Sequence, residues 1–149
     1  MKEGDTIADF ELTDQHGEPV TLDGLLDDGP LVLFFYPRAM TSGCTKESCH
    51  FRDLQGEFAA LGARVAGVSA DPVERQRRFD ERNELGFPLL SDPDRRVAAA
   101  FGVKRPGPLW SKRATFVIDT DRRVLAAVHS ELNMETHADR ALAVLRDRR

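Results

Sequence analysis

The stretch Leu31–Asp53, LVLFFYPRAMTSGCTKESCHFRD, decides how the rest of the chain is read. It opens on an unbroken apolar run, Leu31 to Tyr36, closed by Pro37. A run of strand length with no polar alternation is buried on both faces, as in the middle of a parallel or mixed sheet. Arg38 to Gly43 then reads as a loop. From Cys44 onward apolar residues recur at helical spacing, at Phe51, Leu54, Phe58 and Leu61, and Gly62 stops the pattern. Thr41 or Ser42 is the expected N-cap, and Glu47 adds acid to the expected first turn. Strand, loop and helix in that order put the loop beyond the carboxyl end of a strand, where α/β sheets carry their sites.

The pattern continues outward on both sides. Upstream, Phe10 and Leu12 face Val20 and Leu22 across the turn residues Asp14 to Gly17, which predicts a short hairpin. Downstream, Val65 to Val68 is a second buried strand. Asp71-Pro72 opens a helix to about Leu85, with Asp71 as N-cap and Pro72 at the first position. Phe87 to Leu90 is extended, and Asp92-Pro93 starts a helix to about Phe101. Ala114 to Ile118 and Val124 to Val128 form a hairpin, and a final helix runs from Glu135 to about Arg146. Strands alternating with helices predict an α/β sandwich with a mixed central sheet, flanking helices and an N-terminal hairpin.

The chain has 149 residues, which fits a single domain spanning 1–149. With 41% hydrophobic and 31% charged residues it has the composition of a soluble globular protein. The net charge of −4 lacks the broad positive field that nucleic acid requires, so no nucleic-acid partner is expected. The cluster Arg75 to Arg78, interleaved with Glu74, Asp80 and Glu81, reads as a solvated helix face. The Leu31–Tyr36 run is far shorter than the roughly 20 residues of a membrane span, and MKEGDTIADF has no signal core. The expectation is a cytoplasmic protein with no membrane partner.

Cys44 and Cys49 are the only cysteines. In a reducing compartment such a pair is redox-active or metal-binding rather than a permanent staple. Cys44 stands where a helix begins, and the unpaired N–H groups there favour a thiolate, the nucleophilic form. Gly43 is expected to let the backbone turn tightly and leave the sulfur accessible, with the Thr41 hydroxyl nearby. The polar neighbours Thr41, Ser42, Thr45 and Lys46 argue against a buried structural cysteine. On one regular helix the two cysteines lie about 7.5 Å apart along the axis and about 140° around it, with Cα atoms about 8.6 Å apart. A disulfide needs them within about 7 Å. Any bond between them therefore requires at least one turn to unwind. Zinc needs four ligands, and His16, His50, His129 and His137 are scattered, so no metal is expected. The C-x-x-C spacing of disulfide reductases is absent.

With these residues in view, the chain resembles the peroxiredoxin family. The pattern is P-x-x-x-T-x-x-C, here Pro37, Thr41 and Cys44, and CTKESCHFRD resembles the Q-type, or bacterioferritin-comigratory, branch. FPLLSD (Phe87 to Asp92), RATFVID (Arg113 to Asp119) and the N-terminal GDTIADFELTDQHG are similar to family blocks in the same order. The resemblance implies a thioredoxin-like three-layer sandwich. It implies a thiol-dependent peroxidase for hydrogen peroxide and organic hydroperoxides, without a cofactor. It assigns Cys44 as the peroxidatic and Cys49 as the resolving thiol, joined in the cycle by an intramolecular disulfide. Pro37 shields the sulfur, and Thr41 and Arg113 bind substrate and steady the thiolate. Thioredoxin or a related dithiol is the implied reductant, and the intramolecular partner suggests a monomer. Two departures stand out: Ala39 and Met40 replace polar loop residues, and Trp110 follows the loop Pro106 to Pro108, where it lines the entrance or simply packs. The competing classes are a peroxide-responsive sensor whose helix start unwinds on oxidation, and a thioredoxin-fold binding protein without catalysis.

Overall fold

The computed structural model describes residues 1–106 and 111–148. Trp110 and the second half of the Pro106 to Pro108 loop lie outside them. Seven strands among the described residues form one sheet: β1 (Glu11–Thr13), β2 (Pro19–Thr21), β3 (Leu31–Phe35), β4 (Arg64–Ser69), β5 (Leu89–Ser91), β6 (Ala114–Ile118) and β7 (Val124–His129), in the order β2-β1-β5-β4-β3-β6-β7. The helices are α1 (Leu22–Leu25), α2 (Ser42–Asp53), α3 (Gln55–Ala60), α4 (Val73–Asn83), α5 (Arg96–Ala100) and α6 (Met134–Asp147). β3, β4 and β5 are parallel, and β6, β7 and the β1–β2 hairpin run antiparallel to their neighbours. This is the mixed thioredoxin-like sandwich that the sequence predicts, with the N-terminal hairpin joined to the sheet edge through Thr13 and Ser91.

The apolar run of β3 is central because both its faces are covered. Leu31, Leu33 and Phe35 enter a core with Leu22, Val97, Phe101 and Phe116. Val32, Phe34 and Tyr36 enter the opposite core with Phe51, Phe58, Phe79 and Leu142. Side chains alternate across a strand, so a strand apolar at every position needs a helical layer on each side. Phe34 ties the strand to α2: its ring stacks on Phe51 at 4.4 Å between centroids, and Phe51 in turn stacks on Phe58 at 6.1 Å.

The local differences from the sequence reading have physical causes. The helix expected to run to Leu61 breaks at Leu54 (φ −94°, ψ 2°), just before Gly56, a poor helix former. α3 then restarts so that Phe58 stays over Phe51. Helix α4 starts at Val73 with Pro72 in the capping position. Asp71 does not cap it: its Oδ2 accepts hydrogen bonds from the Ser69 hydroxyl (2.6 Å) and the Ala39 N–H (2.7 Å). The short α1 has no counterpart in the sequence reading; Thr21 caps it by accepting from the Gly24 N–H at 3.0 Å.

The pairing of β3 with β6 positions the site. The strands are antiparallel, with Phe35 opposite Ala114. The carboxyl end of β3, which leads to Pro37 and α2, therefore lies beside the start of β6, where Arg113 stands.

Candidate active site

Cys44 occupies the first turn of α2, whose cap residue is Thr41. Both cysteines are free thiols. Contrary to the expectation of an open sulfur, Cys44 is fully buried, 0% exposed, within the core that holds Tyr36, Ala39 and Phe51. The polar residues around it in sequence point elsewhere because a helix distributes its neighbours around the axis. Gly43 is helical rather than a turn residue. Its role is space: a Cβ there would stand 3.4 Å from Arg113 Nη2 and 3.5 Å from Met134 Sδ.

Arg113 reaches over that space. Its Nη2 donates to Cys44 Sγ at 3.3 Å, and its Nη1 donates to Glu47 Oε1 at 2.6 Å. The guanidinium is buried with both partners. Burial works against its charge, but the Glu47 carboxylate and the Cys44 sulfur more than offset this and raise its pKa. A guanidinium donates in a planar fork, and here the fork bridges a sulfur and a carboxylate one helical turn apart. The arrangement stabilises negative charge on the sulfur.

Glu47 lies in the second turn of α2 and is fully buried. Burial pushes its pKa up from its ordinary 4.5 to about 8, against the pull of Arg113. From sequence it reads as no more than a helix-end acid. The signal that distinguishes it is its spacing: Cys44 and Glu47 are three apart and share a helix face.

The loop between β3 and α2 is held from outside. The Thr41 hydroxyl donates to the Arg38 carbonyl at 2.9 Å, so in this state it does not point its hydrogen at Cys44. Met40 is left-handed, φ 66°, a conformation that costs a non-glycine residue roughly 1–2 kcal/mol. It is kept there by its neighbour Ala39, whose N–H bonds Asp71 and whose carbonyl accepts from Arg75 Nη2 at 3.1 Å. Arg75 also pairs with Asp71 at 3.0 Å. The solvated-face reading of Arg75 to Arg78 thus holds for the exposed Arg78–Glu74 pair and fails for Arg75. Strain of this kind, clamped by its surroundings, concentrates at functional loops. Pro37 lies at the mouth of this loop, beside Arg38, Asp71 and Arg75.

Cys49 lies on the same helix but outside this cluster. It is partly exposed, and its thiol donates to Asn83 Oδ1 at 3.7 Å, at the end of α4. Arg52 Nη1 donates to the Asn83 carbonyl at 2.7 Å. The structure therefore brings Cys44 and Arg113 together, puts Thr41 and Pro37 on the adjoining loop, and keeps Cys49 apart. Among the described residues no group of three or more His, Cys, Asp or Glu side chains forms a metal-binding arrangement.

A free thiol held against a buried guanidinium, at the carboxyl edge of a thioredoxin-like sheet, is the equipment of a thiol-dependent peroxidase. Relatives make the class specific. The AhpC/TSA family model matches residues 4–127, and the chain belongs to that family, in its Q-type peroxiredoxin branch. It is 37% identical to peroxiredoxin Bcp of Bacillus subtilis over 97% of this chain and 94% of the relative. It superposes on the crystal structure of peroxidoxin BcpB from Mycobacterium tuberculosis with a TM-score of 0.97 and 58% identity, covering 100% of this chain and 99% of that one. It also matches the bacterioferritin comigratory protein of Xanthomonas campestris, solved in connection with its alkyl peroxide reduction activity, with a TM-score of 0.86, 32% identity, and coverage of 93% and 91%. The protein is a peroxidase that acts through thiol chemistry. No helix among the described residues is long and apolar enough to cross a membrane.

Proposed function

We propose that Cys44 is the peroxidatic thiol and Cys49 the resolving thiol of a two-cysteine cycle run within one chain. The observation that carries this is the Arg113 fork, which holds Cys44 Sγ and Glu47 together on the buried face of α2 while Cys49 waits on the same helix.

The Cys44 thiolate attacks one peroxide oxygen in line with the O–O bond. An S–O bond forms, the O–O bond breaks, and the electron pair leaves on the second oxygen, which takes a proton and departs as water or an alcohol. Arg113 and the Cys44 backbone N–H stabilise the developing charge, and such preorganised donors are usually the largest contribution to rate. Thr41 turns its hydroxyl from the Arg38 carbonyl to the bound peroxide. Pro37 keeps water from the sulfur. Cys44 is left as sulfenic acid. The start of α2 then unwinds, the Cys49 sulfur attacks the Cys44 sulfur, a disulfide forms and water leaves. A dithiol of the thioredoxin kind exchanges the disulfide back to two thiols.

The substrates are hydrogen peroxide and organic hydroperoxides. The apolar loop residues Ala39 and Met40, and the alkyl peroxide reduction described for the Xanthomonas relative, support the second class. Residues 1–149 act as one domain and as a monomer, since the resolving thiol is supplied in cis. A pair of free thiols suits a reducing compartment such as the cytoplasm.

Stopped-flow mixing with hydrogen peroxide and with an organic hydroperoxide, followed by mass spectrometry of the Cys44–Cys49 bond, tests the assignment. Cys44→Ser abolishes peroxide consumption; Cys49→Ser leaves the first turnover intact and stalls recycling by thioredoxin. Steady turnover by Cys44→Ser would overturn it.

A further inference from the structure

Behind Glu47 lies a histidine that the peroxidase cycle does not use. His137, in the first turns of α6, is 0% exposed, as are Glu47 and Thr115. Its Nε2 is 2.8 Å from the Ser130 carbonyl. A carbonyl only accepts, so Nε2 carries the hydrogen and Nδ1 of the neutral ring is an acceptor. Its one lone pair is taken by the Thr115 hydroxyl, which donates to it at 2.8 Å, so Glu47 Oε2, 3.6 Å away, faces a ring nitrogen with no hydrogen to give. Glu47 Oε2 is buried and has no hydrogen-bond partner, while Oε1 is taken by Arg113. An orphaned buried carboxylate oxygen is costly, and with no donor facing it a proton on the oxygen itself removes the charge.

We infer that Glu47 carries a proton on Oε2, kept there because the neutral His137 ring facing it offers no donor, and that this proton frees Arg113 to serve the Cys44 sulfur. The inference rests on the assignment of Cys44 and Arg113 above.

Charge counting shows why the proton matters. Thiolate and guanidinium sum to zero, and a carboxylate adds an uncompensated negative charge in a buried cluster. With a proton on Glu47 and the His137 ring neutral, the cluster is neutral when Cys44 is ionised. Without it, Arg113 is divided between two anions. The groups facing the pair come from every neighbouring element: Cys44 on α2, Arg113 before β6, Glu131 in the β7–α6 loop and His129 at the end of β7. Burial lowers the His137 pKa, and Arg113 and His129 reinforce this while Glu131 and the bond to Ser130 oppose it. Burial raises Glu47, with Glu131 in support and Arg113 opposed. Both shifts assign the proton to the carboxyl and leave the ring neutral. His137 is thus a positioning residue, acting through Glu47 and Arg113.

The decisive readout is the carboxyl carbon of Glu47 in the resting, reduced protein, followed by 13C NMR against pH without peroxide. In the wild-type protein it stays in the protonated position at pH 6 and titrates near pH 8. In His137→Gln a ring nitrogen without a hydrogen gives way to an amide N–H that donates to Oε2, so the titration moves below pH 7. The peroxide rate constant of Cys44 follows: it falls at alkaline pH, and the ratio of rates at pH 6 and pH 9 grows about tenfold in His137→Gln, one unit of proton affinity. In Glu47→Gln, which is permanently neutral, the alkaline fall disappears. A wild-type Glu47 signal already ionised at pH 6 overturns the inference, whether or not the variants fold. An unmoved rate ratio in a folded His137→Gln protein overturns it as well. Failure of the wild-type protein to react with peroxide would strike the assignment of Cys44 and would leave the resting-state titration as it is.

Discussion

The two ends of α2 are built to opposite specifications. At Cys44 the sulfur is buried and held by a charged fork: Arg113 forks onto the sulfur and Glu47, and Met40, left-handed just before the helix, is pinned through Ala39 by Asp71 and Arg75. At Cys49 the thiol is half-buried, and its partner is one long contact to Asn83. In the proposed cycle one helix thus presents a sulfur that is held for reaction and a sulfur that is free to travel. Phe51, stacked on Phe34, marks where travel must stop, since drawing it out would empty a buried aromatic site. The segment available for unwinding is therefore 42–50.

The largest way to disturb this contrast is at the held end. Arg113→Met removes the charged donor from Cys44 and lowers the peroxide rate constant by about 10²- to 10³-fold, as loss of a preorganised donor does. The peroxide rate constant of the folded variant, measured by stopped flow, checks this; a loss below tenfold would mean that the fork is structural.

The next effect belongs to the travelling end. Asn83→Ala removes the Cys49 contact and the Asn83 Nδ2 bond to the Phe79 carbonyl while leaving the Asn83 carbonyl bond to Arg52 in place. Stability should fall by about 0.5–1.5 kcal/mol for each side-chain hydrogen bond lost. Disulfide formation after the first oxidation should quicken, and less Cys44 should reach sulfinic acid under excess peroxide. Mass spectrometry of the oxidised forms against time reads both; unchanged resolution would show that Asn83 does not restrain Cys49.

A further effect is on stability against pH. Glu47 holds its proton to about pH 8 in the fold and to its ordinary 4.5 when unfolded. Its stabilising contribution is full below 4.5 and is lost as pH rises to about 8. His137, lowered from its ordinary 6.5, contributes fully above that value and loses its contribution as pH falls through its folded pKa. Denaturant midpoints from pH 5 to 8 should show the Glu47 slope in the wild-type protein and lose it in Glu47→Gln.

Much of this contrast is legible in the order of residues alone. The apolar run Leu31–Tyr36 implies a strand covered on both faces, and the only two cysteines, on one helical pattern, imply a bond that the intact helix forbids. The antiparallel pairing of β3 with β6 is not legible, so only resemblance to a family block singles out Arg113 among many arginines. Glu47 and His137 escape sequence reasoning for a related reason. Burial of a charged residue depends on contacts far apart in sequence, here between α2 and α6, and no local pattern reports it. Asp71 illustrates a different failure: an Asp-Pro pair is a strong helix-start signal, yet tertiary contacts take its carboxylate to the active-site loop.

In the proposed cycle α2 holds Cys44 ready only when wound and lets Cys49 reach it only when unwound. Amide hydrogen exchange of the reduced protein and of the Cys44–Cys49 disulfide form, resolved by fragment over 42–53, tests this directly. The account predicts strong protection throughout α2 in the reduced form. In the disulfide form protection should be lost over 42–50 and retained from Phe51. Equal protection over 42–50 in both forms, with the intramolecular bond verified by mass spectrometry, would contradict it.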